Sequence, residues 1–156
     1  MSDATQRALD FIASCSDPHK LRQISRNAQR QGEEGVRRAA QLRLYKVLPS
    51  EKQGTLEYDV WQSIHALEGE LTAERGKTTR LSRTRQKISR DGEARTVTDL
   101  VLGNVSAGFR MLIERDLPQL TFEAVALKHS GRFEKEVLTA ASRRLSGEGY
   151  DPKAIA

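Results

Sequence analysis

The chain has 156 residues, with 37% hydrophobic content, 30% charged content and a formal net charge of +5. This suits one domain, or two small helical lobes sharing a core, and excludes a wholly disordered chain. Four Phe, three Tyr and one Trp leave the core to Leu, Val, Ile and Ala, a composition that suits packed helices.

The elements follow in chain order. Residues 3–14 read as a short helix with Leu9 and Ile12 inward. Asp17 then Pro18 gives an N-cap acceptor followed by proline at the first helical position. Leu21, Ile24 and Ala28 continue that helix to a stop at Gly32. A third helix runs from about Glu33 to Val47, with Val36, Ala40, Leu44 and Val47 on one face and Pro49 ending it. Residues 50–54 form a linker. Leu56, Val60, Ile64, Leu67 and Leu71 then recur at steps of three and four, the stripe of a long amphipathic helix that Gly76 kinks or ends.

Residues 78–90 form the next expected helix, capped by Thr78 or Thr79 and closed by Gly92. Residues 95–103 favour a short helix over a strand despite their β-branched side chains. Helices are expected over 106–117, starting at Ser106, and over 120–129 and 133–145; the tail 148–156 is expected to be loose. The fold class is therefore all-α, with about seven or eight helices packed as one integrated domain. Its segments are a basic N-terminal segment of short helices (1–49), a long acidic-then-basic segment (55–92) and a C-terminal helical lobe (94–147).

The single cysteine, Cys15, excludes an internal disulfide and a thiolate zinc site, and points to a reducing compartment. The N-terminal residues lack a basic region followed by an apolar run, and no apolar run reaches membrane-spanning length. A soluble, cytoplasmic protein with no membrane partner is the expectation.

Charge is segregated. Residues 1–50 carry nine Lys or Arg against five acids, residues 51–74 one against six, and residues 75–95 eight against two. The stretch RGKTTRLSRTRQKISR (75–90) holds seven cations and no acid. Its GKTT matches the tail of a phosphate-binding loop, but that motif needs a glycine five residues before Gly76, where Leu71 stands, and a preceding strand. A helical stripe fits better. At 100° per residue, Arg80, Arg83, Lys87 and Arg90 share an arc of about 80°, beside an anchor of Leu81 and Ile88. Arg75, Lys77 and Arg85 belong to the same run, and Arg22, Arg26 and Arg30 form a second stripe at successive i, i+4 steps.

These ten cations are the candidate nucleic-acid-binding residues. Arginine outnumbers lysine 18 to 8, and its planar fork matches phosphate or carboxylate. The expected partner is nucleic acid, DNA before RNA, gripped through its phosphates. An acidic protein surface bound by a helical adaptor or inhibitor is the alternative, and six acids in 51–74 offer an internal partner for the same charge. A helix-turn-helix fits poorly with its turn at Gly103 and better, by charge, with its turn at Gly76.

An enzymatic role, such as a nuclease, finds little support, and the catalytic residues stay unassigned. His65 and Glu68 lie i, i+3 with no third metal ligand in sight, Glu123 and Lys128 lack nuclease spacing, and Cys15 and His19 straddle a break. No cofactor or metal is implied. Tyr45, Tyr58 and Tyr150 are too scattered for a base-stacking platform, and Trp61 reads as core or interface. Oligomeric state is open.

Overall fold

The computed structural model describes residues 2–155 and is all-helical. The described residues form ten α-helices, two 3₁₀ turns and no strand. Ten exceeds the expected seven or eight; the one helix outside the expected segments is the four-residue turn over 152–155. None of the described helices is long and apolar enough to cross a membrane. The chain divides into two compact units, Met1–Ser50 and Glu51–Ala156.

The N-terminal unit holds α1 (Asp3–Ser14), α2 (Pro18–Arg30) and α3 (Glu34–Val47). The caps are as the sequence implies. Asp17 accepts from the backbone N–H of His19 at 2.9 Å, with Pro18 at the first position. Gly32 has φ +71°, a left-handed conformation that lets the chain leave α2. Both α1 and α2 pack against α3. Ile12, Leu21, Ala28, Val36, Ala40 and Leu44 fill the core, and Cys15 is buried beside them. Arg43 donates to the Cys15 carbonyl at 2.9 Å, tying α3 to the α1–α2 connection.

The C-terminal unit is built on α4 (Leu56–Arg75). Thr55 caps it, accepting from the Tyr58 N–H at 3.1 Å, and Gly76 ends it at φ +71°. The expected apolar stripe is buried at Leu56, Val60, Ile64 and Leu67, yet burial extends well past it, to Tyr58, Asp59, Ser63, Glu68 and Glu70. The reason is position: α6 (Glu93–Leu102), α7 (Ala107–Glu114) and α8 (Phe122–Lys128) all pack on α4. A helix covered from several sides cannot read as simply amphipathic.

The helix α5 (Ser82–Asp91) lies between α4 and α6 in the chain, and α9 (Lys135–Gly147) packs on α6 and α8. The main core joins Val60 and Ile64 to Ile88, Val97, Val101, Val125 and Val137. The expected short helix is present, over Glu93–Leu102, and the buried Thr96 hydroxyl is satisfied by donating to the Gly92 carbonyl at 2.8 Å. The tail differs from the expected loose end. Its helix α10 (Pro152–Ile155) places Ile155 and Tyr150 against Phe109, Ala124 and Leu145, and the Tyr150 hydroxyl donates to Asp116 at 3.0 Å. Two apolar side chains within a short polar tail are enough to hold it when a matching surface exists.

Candidate nucleic-acid interface

The basic stretch 75–90 is not one helix. Thr78 and Thr79 do not cap it: α5 starts at Ser82, and residues 76–81 form a connector. Two hydrogen bonds from backbone N–H groups to Thr72 and one carboxylate shape that connector. The Gly76 N–H donates to the Thr72 carbonyl at 2.9 Å, and the Thr79 N–H donates to the Thr72 hydroxyl at 3.0 Å. Glu68, buried on α4, accepts from the Leu81 N–H at 2.8 Å. Leu81 packs against the main core and Ile88 is buried in it, so the expected anchor is in place. Burying an isoleucine of this kind contributes about 2 kcal/mol.

Glu68 also takes Arg85. The guanidinium meets both carboxylate oxygens at 2.7 Å, a bidentate pair, and its carbon lies 5.2 Å from the centroid of the Trp61 ring. The Trp61 indole N–H in turn donates to Glu93 at 3.0 Å. Burial pushes the Glu68 carboxyl up. The Arg85 hydrogen bonds, the Leu81 N–H and the Arg85 charge outweigh it, leaving the group below the usual carboxylate range. The helical wheel explains why Arg85 turns inward: on α5 it lies about 60° from Ile88, and so on the core side.

Lys87 is compensated as well. Its ammonium meets Asp99 at 2.7 Å and Asp91 at 3.0 Å, and these carboxylates hold it above its ordinary value. Arg90 pairs with the adjacent Asp91 at 3.2 Å but keeps 69% of its side chain exposed. Arg75, Lys77, Arg80 and Arg83 are exposed and meet no carboxylate among the described residues. The expected four-cation helical stripe is thereby redrawn. Arg80 precedes the helix, Lys87 is held by two aspartates, and Arg83 and Arg90 keep the outer face. Arg75 stands at the end of α4, Lys77 and Arg80 on the α4–α5 connector, and Arg83 in the first turn of α5.

In the N-terminal unit, Arg22, Arg26 and Arg30 are all exposed along α2. Leu21, Ser25 and Ala28 take the opposite face. Arg30 reaches back to the Asn27 side chain, and neither Arg22 nor Arg26 meets a carboxylate among the described residues.

The chain matches no known protein family, no curated protein and no solved structure.

The remaining sequence candidates fall into structural roles. Glu68, considered beside His65 as a metal ligand, is spent on Arg85 and Leu81. Glu123 is buried and accepts from Arg144 at 2.8 Å, and Arg144 also donates to the Leu100 carbonyl at 3.1 Å. Burial raises the Glu123 carboxyl, and the Arg144 hydrogen bond offsets only part of that. Tyr45 and Tyr58 are buried, so neither is available for stacking. Neither helix-turn-helix placement is strengthened. The connector at Gly76 is six residues, longer than the motif's turn, and on α7 Arg110 pairs with Glu148 at 2.9 Å.

Sequence reasoning also missed the cluster around Asp59. Asp59, buried on α4, lies 2.6 Å from the His129 ring and 3.2 Å from the Lys128 ammonium. The two positions are 70 residues apart, and no local spacing links them.

Proposed function

We propose that this protein binds nucleic acid, duplex DNA in preference to RNA, by laying arginine-rich surfaces along the phosphate backbone. One observation carries the reading. Once the internal ion pairs are made, Arg75 at the end of α4, Lys77 and Arg80 on the connector and Arg83 in the first turn of α5 are left exposed, and the connector's course is fixed by Glu68 and Thr72. Cations held in place without their own carboxylates are suited to phosphates, because no internal partner must first be displaced. Arg90 on α5 extends the set, and Arg22, Arg26 and Arg30 on α2 form a second set in the N-terminal unit. Arg85 and Lys87 support the first set from behind, by fixing α5. With Tyr45 and Tyr58 buried, and Trp61 engaged by Arg85 and Glu93, none of these three rings is free to stack on bases, which favours duplex backbone over unstacked single strands.

The test is fluorescence anisotropy with a short DNA duplex, its single strand and a structured RNA, across a salt series. If about six phosphates are neutralised, affinity falls about 10³-fold between roughly 50 and 200 mM salt. Joint reversal of Lys77, Arg80 and Arg83 to Glu should flatten that slope and weaken binding by about 100-fold or more, with the far-UV spectrum unchanged. No binding to any of the three nucleic acids at low salt would reject the proposal. A defined complex with an acidic protein, abolished by the same triple reversal, would then assign the surface to a protein partner.

A further inference from the structure

Among the described residues of the C-terminal unit, two large apolar side chains stand exposed, Leu102 at 43% and Val105 at 42%. They sit three residues apart, at the end of α6 and on the loop to α7. A single exposed leucine is ordinary, but this pair shares one short stretch, 102–105, that is exposed throughout. The stretch is tied down on both sides. Arg144 on α9 donates to the Leu100 carbonyl at 3.1 Å and to the Gly103 carbonyl, and is itself fixed by Glu123 at 2.8 Å. The Gly103 N–H donates to the Asp99 carbonyl at 3.0 Å, and the Ser106 hydroxyl accepts from the Phe109 N–H at 3.1 Å. The same loop borders the free cations. Leu81 and Thr84 on one side, and Leu100 and Ser106 on the other, line one cavity of about 120 Å³. Arg80 and Arg83 are the sequence neighbours of the first two, and Leu102 and Val105 lie within two residues of the second two. Lys87, one turn along α5 from Arg83, reaches Asp99 on α6 at 2.7 Å. Exposed apolar side chains and arginines without carboxylates thus border one small patch.

We infer that Leu102 and Val105 form an apolar wedge that enters the minor groove of duplex DNA and opens a base step, while Arg80 and Arg83 hold the phosphates beside it. The inference rests on the nucleic-acid reading above and names how the duplex is gripped. The minor groove of B-DNA is about 6 Å wide and takes a loop tip, whereas a helix fits the major groove. An inserted leucine partly unstacks its neighbouring base pairs and kinks the duplex, and flanking cations answer the phosphates on either side. A loop already tied down by Arg144 suits insertion, because little ordering entropy is lost on binding. Other occupants fit this patch less well. A stable protein interface buries about 800 Å² on each side, far beyond two side chains. A single myristoyl chain anchors a protein to a membrane only marginally, and these two side chains bury less than that chain does.

A duplex of about 25 base pairs, labelled at its two ends for fluorescence energy transfer, tests this with the full chain at low salt. The protein should raise the transfer through a bend of about 20–90°. Leu102→Ser combined with Val105→Ser should abolish that rise and weaken binding about tenfold. The salt slope should stay unchanged, because no phosphate contact is lost, and so should the far-UV spectrum, because both side chains are exposed. Leu102→Phe, a larger wedge, should keep the bend. A duplex bound with the expected salt slope but with no change in transfer would overturn the wedge and leave the phosphate contacts standing. A bend that survives the double substitution would overturn it equally. No duplex binding at all would overturn the nucleic-acid reading, and the wedge with it. Binding instead to vesicles of an anionic phospholipid, lost in the double variant, would overturn the wedge and assign the loop to a membrane surface.

Discussion

Arg83 and Arg85 are two residues apart, carry the same charge and do different things. Arg85 faces α4, grips Glu68 with both nitrogens and covers Trp61; Arg83 is exposed with no carboxylate. Period alone separates them, because two residues of helix turn a side chain through about 200°. The consequence is testable. Arg85→Met should destabilise the C-terminal unit by about 2 kcal/mol in chemical denaturation, less than the 3–5 kcal/mol of a fully buried pair because Arg85 keeps some contact with water. Arg83→Met should change stability by less than about 0.5 kcal/mol. Acid should mimic the loss of Arg85. Glu68 is held below its ordinary value of 4.5, so its stabilising contribution is complete above that value and disappears as pH falls through the lowered one. Asp91 and Asp99, both lowered by Lys87, titrate in the same direction. Trp61 is the sole tryptophan and sits under Arg85, so its fluorescence should report this acid transition, and Glu68→Gln should remove most of the response.

At the scale of elements, the helix boundaries follow from caps and from left-handed glycines. Gly76 is the informative case, because it ends α4 and begins the connector that carries Lys77 and Arg80. A methyl group there would meet nothing within 4 Å, so the residue is glycine for its φ of +71° and not for space. Gly76→Ala should therefore cost about 1 kcal/mol from backbone strain alone. Gly35, in the first turn of α3, also has open space around it but no left-handed backbone. Gly35→Ala should stabilise the N-terminal unit by about 0.5 kcal/mol. Opposite signs from the same substitution, read by thermal melts, would separate conformation from packing. Equal signs would contradict this account of Gly76.

On the scale of the whole molecule, each compact unit has a core of its own. Ile12, Leu21, Val36 and Leu44 serve residues 1–50, while the larger cluster around Val60, Ile64, Val97 and Val137 serves the rest. Expressed alone, residues 51–156 should give a helical spectrum and a cooperative melt. Residues 1–50 should be helical but melt broadly, because so short a chain buries too small a fraction of its surface. A C-terminal fragment that is unfolded in isolation would show that its core is incomplete without the first fifty residues.

The sequence by itself determined the all-helical class and most helix boundaries, because caps, prolines, glycines and three-to-four spacing act over a turn or two. Asp17-Pro18 and Ser106 each mark a helix start, and both cap as their chemistry requires. It also gathered the cations of 75–90 into one stretch. What it lacked was which of them are spoken for. Glu68 and Arg85 are 17 residues apart, Lys87 and Asp99 12, Asp59 and His129 70. Pairings at such separations depend on how the helices pack. Only the tertiary structure could tie Arg85 and Lys87 to carboxylates of other helices and leave Arg75, Lys77, Arg80 and Arg83 outside such pairs. Local chemistry fixes where helices begin and end, and packing decides which charges are already satisfied.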